Sequence, residues 1–273
     1  MRACAMFCSN LQVPKFGVQS PSLRLASLRR TLTTTTALSK SPSKSFRSIQ
    51  YSDAQATILN FGILKDLVKI FVLDLETTGL CRRIGHVTEI ALRDLQGGKN
   101  SCFQTLVNPQ QNVPNSSIHG IPTNMVTHSD VPRMVELIPI LLEYIRSRQG
   151  PGVQVLFAAH NARRFDVPFL IKEFSSCSFE IPPDWLFLDT LALAHELRKL
   201  YGSKVPPKIS LEGLSEFYKI TREGPKHRAM ADVNLLTSIL PNMTSDLNLG
   251  VADLLQRSFK ASVCSITMKK KKK

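Results

Sequence analysis

The feature that most constrains the fold is the segment Ile70-Phe-Val-Leu-Asp-Leu75, an almost continuous apolar run followed by Gly79. A run of this kind, without polar alternation, predicts a strand that is buried on both faces. We expect the folded part of the chain to begin shortly before it, near Leu64. The segment therefore predicts the central strand of an α/β domain.

Further apolar segments predict a hairpin and then an alternation of helices and strands. His86 to Leu92 and Cys102 to Val107 are apolar stretches separated by Gly97-Gly98, which predicts an antiparallel pair. The elements predicted after it are a helix over Pro132 to Arg148, a strand over Val153 to Ala159, a helix over Asp166 to Phe174, a strand over Leu186 to Leu188, and helices over Thr190 to Leu200, Ser210 to Tyr218, Ala229 to Leu240 and Asp246 to Phe259. The order βββαβαβα predicts a ribonuclease-H-like α/β fold, with a mixed five-stranded sheet flanked by helices.

The two ends of the chain differ in composition from the middle. Residues 1–52 contain eight Lys or Arg, fifteen Ser or Thr and no Asp or Glu, which is typical of a disordered transit peptide for the chloroplast or the mitochondrion. We expect cleavage between Ser45 and Leu64. A basic arm that stays attached and contacts nucleic acid would have the same composition. Residues 64–260 are then the folded domain, and residues 261–273 are a basic, lysine-rich tail.

The net charge of +14 does not by itself predict nucleic-acid binding. The eight basic residues of the leader and the five lysines at 269–273 account for thirteen of these charges, so the middle of the chain is nearly neutral.

The six cysteines show no Cys-x-x-Cys spacing, which argues against a zinc knuckle or a disulfide framework. No apolar run approaches the roughly 20 residues of a membrane span, so we expect no membrane association.

Two acids interrupt the end of the central strand. Asp74 and Glu76 are two residues apart, so strand alternation places both carboxylates on one face. Ionised carboxylates in such an apolar strand need a cation or several hydrogen-bond donors, and paired oxygen ligands suit Mg²⁺ or Mn²⁺. The alternative is a solvated turn that contains acids by chance. The segment Thr77-Thr78-Gly79 marks the carboxyl end of the strand, where open α/β sheets present their sites.

A second group of polar residues leads from the fourth predicted strand into a helix. Asp166 is predicted at the helix start, where the backbone dipole favours an anion, although such an Asp is often only a cap. We interpret His160 as a hydrogen-bonded framework residue and Asn161 as a turn former that braces the loop. Phe165 and Trp185 are expected in the core.

A third group combines a histidine and an acid. His227 is predicted on a loop after Gly224-Pro225, and Asp232 in the helix that follows. An imidazole can accept a proton from water near neutral pH, so His227 is a candidate base; the alternative is an ordinary surface histidine. Three pairs of basic residues flank the motifs and could guide phosphates or be solvated charges: Arg82-Arg83, Arg163-Arg164, and Lys226 with Arg228.

In order and spacing, the three motifs resemble the DEDDh exonucleases of the DnaQ-like family. The resemblance spans about Ile70 to Leu240 and includes the segments Ile118-His-Gly-Ile121, Leu188-Asp-Thr190 and Leu211-Glu-Gly-Leu214. The tyrosine branch of that superfamily is excluded because Arg228 stands where its Tyr would be. The three residues between Asn161 and Phe165 are similar to those of the three-prime repair exonucleases, and a transit-like leader is shared with plant organelle exonucleases that degrade DNA.

The resemblance implies that residues 64–260 form a 3′→5′ exonuclease domain that releases 5′-mononucleotides from DNA. It implies two Mg²⁺ ions per site, replaceable by Mn²⁺, and the metal ligands Asp74, Glu76, Asp166 and Asp232, with His227 as catalytic base. It also implies a substrate site formed by Glu76, Thr77, Leu80, His119 and His227.

The partner implied is DNA, as single strands or 3′ ends, with RNA as an alternative and a homodimer as one arrangement of the chain. Three other functions stay open at this point: an exoribonuclease that trims organelle RNA, a catalytically silent nucleic-acid-binding protein, and a purely structural organelle protein.

Overall fold

The computed structural model describes residues 68–204 and 208–264. The predicted transit peptide over residues 1–52, the predicted domain start near Leu64 and the five lysines at 269–273 lie outside the described residues.

Five strands form one mixed sheet in the order β3-β2-β1-β4-β5. They are β1 (Val68–Thr77), β2 (Val87–Asp94), β3 (Cys102–Leu106), β4 (Gln154–Ala159) and β5 (Trp185–Asp189). The first three strands pair antiparallel, whereas β1 with β4 and β4 with β5 pair parallel. The predicted hairpin and the predicted mixed five-stranded sheet are both confirmed.

Eight α-helices with both ends in the described part of the chain accompany the sheet. They are α1 (Ser116–His119), α2 (Thr123–Val126), α3 (Met134–Arg148), α4 (Asp166–Ser176), α5 (Thr190–Tyr201), α6 (Leu211–Tyr218), α7 (Ala229–Asp246) and α8 (Val251–Arg257). The long helices lie where the sequence predicts them, with one difference. The predicted end at Leu240 and the predicted helix over Asp246 to Phe259 are wrong, because α7 continues to Asp246 and α8 begins only after Gly250.

Each face of the sheet carries its own apolar core. On one face Val68, Ile70 and Val72 pack with residues of α5, α6, α7 and α8. On the other face Phe71 and Leu73 pack with α3, α4 and the aromatic residues of β4 and β5. Because β1 is covered on both sides, its continuous apolar run is explained.

The predicted core residues Phe165 and Trp185 belong to the second core. Trp185 is 3% exposed, and the ring of Phe165 lies 5.1 Å from that of Phe169. Cys264, beyond the predicted domain end at residue 260, is also buried there. Among the described residues no helix is long and apolar enough to cross a membrane. Cys81, Cys102, Cys177 and Cys264 are free thiols.

The end of β1 is open on the side of β4. The parallel pairing of these strands stops at Val72 opposite Ala158, whereas the antiparallel pairing with β2 continues to Thr77. The chain after β4 turns away here and enters α4 at Asp166. This opening is where the acids of the second and third motifs can approach those of β1.

Candidate active site

Asp74 and Glu76 lie on the face of β1 that is covered by α7. Their even-numbered neighbour Val72 belongs to the core on that face, and Leu73 and Leu75 point to the opposite core. Burial and the charges of neighbouring acids, Asp232 foremost, raise the pKa of Glu76 to about 8. Burial, followed by the charges of the surrounding carboxylates, also raises the pKa of Asp74 well above its ordinary value. Ionising both carboxylates of this pair without a nearby cation therefore costs free energy.

Asp166 is the first residue of α4 and is 1% exposed. No donor lies at hydrogen-bonding geometry to either of its carboxylate oxygens within the described residues. Burial is the main cause that raises the pKa of Asp166 to about 8. Asp166 is also the neighbouring charge that most raises the pKa of Asp74, so the two carboxylates interact electrostatically.

Asp232 and His227 come from the start of α7. Asp232 Oδ1 accepts a hydrogen bond from Arg222 Nη2 at 2.6 Å, and the same nitrogen lies 2.6 Å from Glu212 Oε1. His227 is exposed on the preceding loop. One ligand atom from each of Glu76, His227 and Asp232 lies within 4.8 Å of the others. Asp74 and Asp166 are outside this group of three, although their charges interact with it.

This arrangement fits a divalent cation. Four partly or fully buried carboxylates interact with one another, and the backbone amides of Leu75 and Asp166 do not outweigh the burial of the Asp166 carboxylate. Buried charges of one sign persist in proteins when an ion of the opposite sign neutralises them. Carboxylate oxygens are the ligands that hard divalent cations prefer.

The loop between β4 and α4 has the framework that the sequence predicts. His160 Nδ1 lies 3.1 Å from Thr190 Oγ1, and its Nε2 lies 2.9 Å from the Ile209 carbonyl oxygen. Asn161 has a φ of 69°, and its carbonyl accepts the amides of Arg164 and Phe165. His160 is therefore held in the framework and Asn161 forms the turn before Asp166.

The residues implied for substrate binding lie around the end of β1. Leu80 is 82% exposed, so its apolar side chain is available to a ligand. The carbonyl of Thr77 accepts a hydrogen bond from Asn115 Nδ2 at 2.9 Å, which ties the strand end to the start of α1. His119 is buried at the end of α1, and its Nδ1 accepts the Ile121 amide at 3.1 Å.

The flanking basic residues have different surroundings. Arg228 binds Glu89 through two guanidinium nitrogens, and the Arg163 guanidinium lies 3.9 Å from the ring centroid of Phe259. These two cations are thus engaged by the protein. Arg83, Arg164 and Lys226 are exposed and remain available to phosphates.

Sequence reasoning missed two charged residues beside the site, Glu89 and Arg222. Glu89 on β2 lies directly opposite Glu76, and its charge contributes to the raised pKa of Glu76. A signal existed for Glu89, because it interrupts the apolar segment Val87-Thr-Glu-Ile-Ala-Leu92 as Asp74 interrupts its own. For Arg222 no spacing in the sequence indicated its contact with Asp232.

Comparison with known proteins identifies the family. Residues 71–240 match the family model described as Exonuclease (RNase_T). The chain is 45% identical over 265 residues to "Exonuclease DPD1, chloroplastic/mitochondrial" of Arabidopsis thaliana, covering 90% of this chain and 84% of that protein. It is 30% identical to the PolC-type DNA polymerase III of Thermotoga maritima over 62% of this chain, but spans only 11% of that polymerase.

Among solved structures, the nuclease domain of 3′hExo, a DEDDh family member bound to rAMP, matches with a TM-score of 0.55 and 16% identity. The match covers 70% of this chain and 96% of that domain, and it shows the shared fold. The sequence matches and the fold agree, and the chain belongs to the RNase_T exonuclease family.

Proposed function

We propose that this protein is a 3′→5′ exonuclease that hydrolyses DNA from the 3′ end to 5′-mononucleotides in the chloroplast, the mitochondrion or both. The observation that carries the proposal is the meeting of Asp74, Glu76, Asp166 and Asp232 at the open end of β1, with the exposed His227 beside them. Hydrolysis of a phosphodiester needs charge neutralisation and a proton acceptor in one place. The four carboxylates can hold the cations that would neutralise the charge, and His227 can accept the proton.

The four carboxylates would hold two Mg²⁺ ions, with Mn²⁺ as a substitute. Bound there, such ions neutralise the phosphate charge and lower the pKa of a coordinated water. The raised pKa of Glu76 and of Asp166 supports this assignment, because a cation would return both carboxylates to the ionised form.

The remaining steps belong to protein side chains. His227 would accept the proton of the attacking water at a ring nitrogen, which its exposed position permits. Leu80, which is exposed, would pack against the terminal base, while Glu76 and the backbone at Thr77 would position the 3′ terminus. His119 would line the same substrate site. Arg83, Arg164 and Lys226 would attract the strand from outside.

Two features support an organelle location. The leader over residues 1–52 has the composition of a transit peptide. The Arabidopsis relative carries the description chloroplastic/mitochondrial, and its similarity covers 90% of this chain.

A nuclease assay tests the proposal directly. Single-stranded DNA, duplex DNA and RNA, each labelled at the 5′ end, are incubated with Mg²⁺ and the purified protein. We expect a ladder that shortens by single nucleotides, because attack begins at the unlabelled 3′ end. Asp74→Asn should lower the rate by about 10³-fold or more, and His227→Ala should lower kcat by about 10²- to 10⁴-fold.

The exposed acid Asp130 provides a matched control, and Asp130→Asn should leave the rate unchanged. Intact DNA after incubation with the wild type would contradict the proposal, as would an Asp74→Asn variant with full activity. Degradation of RNA but not of DNA would replace it by the exoribonuclease function.

A further inference from the structure

Glu89 lies beside the candidate active site and has a complete set of hydrogen bonds. It is 1% exposed on β2, directly opposite Glu76. Its Oε1 accepts from Arg228 Nη2 at 2.8 Å and from Gln104 Nε2 at 2.8 Å. Its Oε2 accepts from Arg228 Nε at 3.1 Å and from the Ala229 amide at 3.0 Å. Because each oxygen already accepts two hydrogen bonds, Glu89 is unsuited to bind a cation.

These contacts fix the start of α7 to the sheet. Arg228 is the N-terminal capping residue of α7, and its own side chain does not cap the helix. Ala229 is the first helical residue, and its amide is one of the donors that a helix leaves unpaired. A carboxylate from β2 therefore caps this helix, where the helix dipole also favours an anion. Burial alone would raise the pKa of Glu89, but the Arg228, Ala229 and Gln104 donors outweigh it, so the carboxylate stays charged.

His227 directly precedes this fixed point and has an unusual backbone conformation. Its φ is 55°, in the left-handed region that residues with a side chain rarely adopt. Such a conformation persists where the surrounding structure holds it. The residues after His227 are held by Glu89, whereas Glu223, Gly224, Pro225 and Lys226 before it are exposed. The direction in which the imidazole leaves the backbone thus depends on the contacts of Glu89.

We propose that Glu89 is a positioning residue for the exonuclease reaction, which holds His227 toward the reacting water through Arg228 and the Ala229 amide. The inference rests on the proposed role of His227 as base. Glu76 and Glu89 are paired residues of adjacent strands, so a single strand pair fixes a metal ligand and the anchor of the base relative to each other. Loss of the anchor would leave Asp74, Glu76 and Asp166 in place and displace the imidazole, while Arg222 would still hold Asp232.

A double-mutant cycle with His227 tests the inference. Glu89→Gln keeps the shape of the side chain but replaces an acceptor oxygen by an amide that cannot bind Arg228. With saturating Mn²⁺, we expect kcat on single-stranded DNA to fall about 10- to 100-fold, with KM and the Mn²⁺ affinity from calorimetry within about threefold of wild type. In a His227→Ala background the same change should alter kcat by less than about threefold, because the base it positions is already absent.

Asp94→Asn provides a matched control. Asp94 is also a buried carboxylate on β2, but it pairs with Lys69 and Arg148 at the other end of the strand. We expect Asp94→Asn to lower the melting temperature without a specific loss of kcat. Its effect on kcat should add to that of His227→Ala. Arg228→Met, whose site is partly exposed, removes the same anchor from the other side if Glu89→Gln does not fold.

The outcomes separate the two hypotheses. The positioning role of Glu89 would be overturned if Glu89→Gln or Arg228→Met lowered kcat equally in the wild-type and His227→Ala backgrounds. It would also be overturned if these changes did not lower kcat in the wild-type background. Full activity of His227→Ala alone would instead remove His227 as the base, and the proposed mechanism with it.

Discussion

At the scale of single residues, Asp166 shows the conflict between stability and function in this fold. Its carboxylate is buried at a helix start, and burial raises its pKa to about 8. An acid with a raised pKa binds its proton more tightly in the folded chain than in the unfolded chain. Its contribution to stability is therefore present below the unfolded pKa of about 4 and is lost as the pH rises toward 8.

Asp166→Asn should consequently stabilise the metal-free protein, and more so at high pH. We expect the melting temperature of the variant to exceed that of wild type by several degrees at pH 8, corresponding to about 1–3 kcal/mol, and by much less at pH 5. The variant should also lose nuclease activity. Scanning calorimetry of both proteins in a chelator, from pH 5 to pH 8, measures the difference.

Comparing the two proteins at each pH removes the contributions of groups that do not interact with Asp166, such as His119 and His160, whose pKa values burial lowers. Saturating Mn²⁺ should abolish the advantage of the variant, since the cation stabilises only the wild-type carboxylate set. A pH-independent difference would contradict the conclusion that burial raises the pKa of Asp166.

Residues with a local signature could be predicted from the sequence, and residues defined by distant partners could not. Asp74 and Glu76 stand out because acids are rare in an apolar strand, and Asp166 and His227 follow loop signals. Glu89, by contrast, derives its role from Arg228 and Ala229, which are more than 130 positions away in the chain. Only the folded pairing of β2 with α7 reveals that role.

At the scale of elements, the segment 79–86 connects β1 to β2 and presents Leu80. The Gly85 carbonyl accepts a hydrogen bond from Lys172 Nζ, and the Val87 amide binds Glu173 Oε1 at 3.2 Å, so α4 holds the segment in place. A Cβ at Gly85 would lie 2.8 Å from the Gly79 carbonyl oxygen and 3.0 Å from that of Cys81. The segment can close in this form only around glycine.

Gly85→Ala should therefore displace Leu80 and reduce kcat/KM on DNA by about 10-fold, while the Mn²⁺ affinity stays near the wild-type value. Gly98→Ala is the matched control, because it strains a turn with a φ of 89° that is remote from the site. Both variants should lose about 1 kcal/mol of stability, but only the first should lose activity. Equal kcat/KM values for the two would contradict this role of the segment.

The elements that the sequence did not predict are short or depend on tertiary packing. α1 and α2 have four residues each, too few for any helical periodicity to be read. α7 passes through Pro241, a residue that normally ends a helix. Ile239, Leu240 and Met243 are fully buried around it, and this burial offsets the missing backbone hydrogen bond.

At the scale of the whole molecule, the positive charge is concentrated outside the described domain. The leader and the five terminal lysines hold thirteen of the fourteen excess charges, so the domain does not attract DNA through its net charge. Local cations such as Arg83 and Arg164 remain for that purpose. The basic leader is thus open to two interpretations, a transit peptide that is removed or an arm that stays attached and binds nucleic acid.

Localisation and the mature N-terminus distinguish these interpretations. Residues 1–63 fused to a fluorescent reporter should direct it to chloroplasts, mitochondria or both, because import signals are basic, rich in hydroxyl groups and free of acids. Replacing the eight basic residues of the segment by Gln should leave the reporter in the cytosol. Mass spectrometry of the full chain recovered from the organelle should find a new N-terminus between Ser45 and Leu64. An imported chain that retains residues 1–52 would instead favour the attached arm, whose loss should then weaken DNA binding and flatten its dependence on salt.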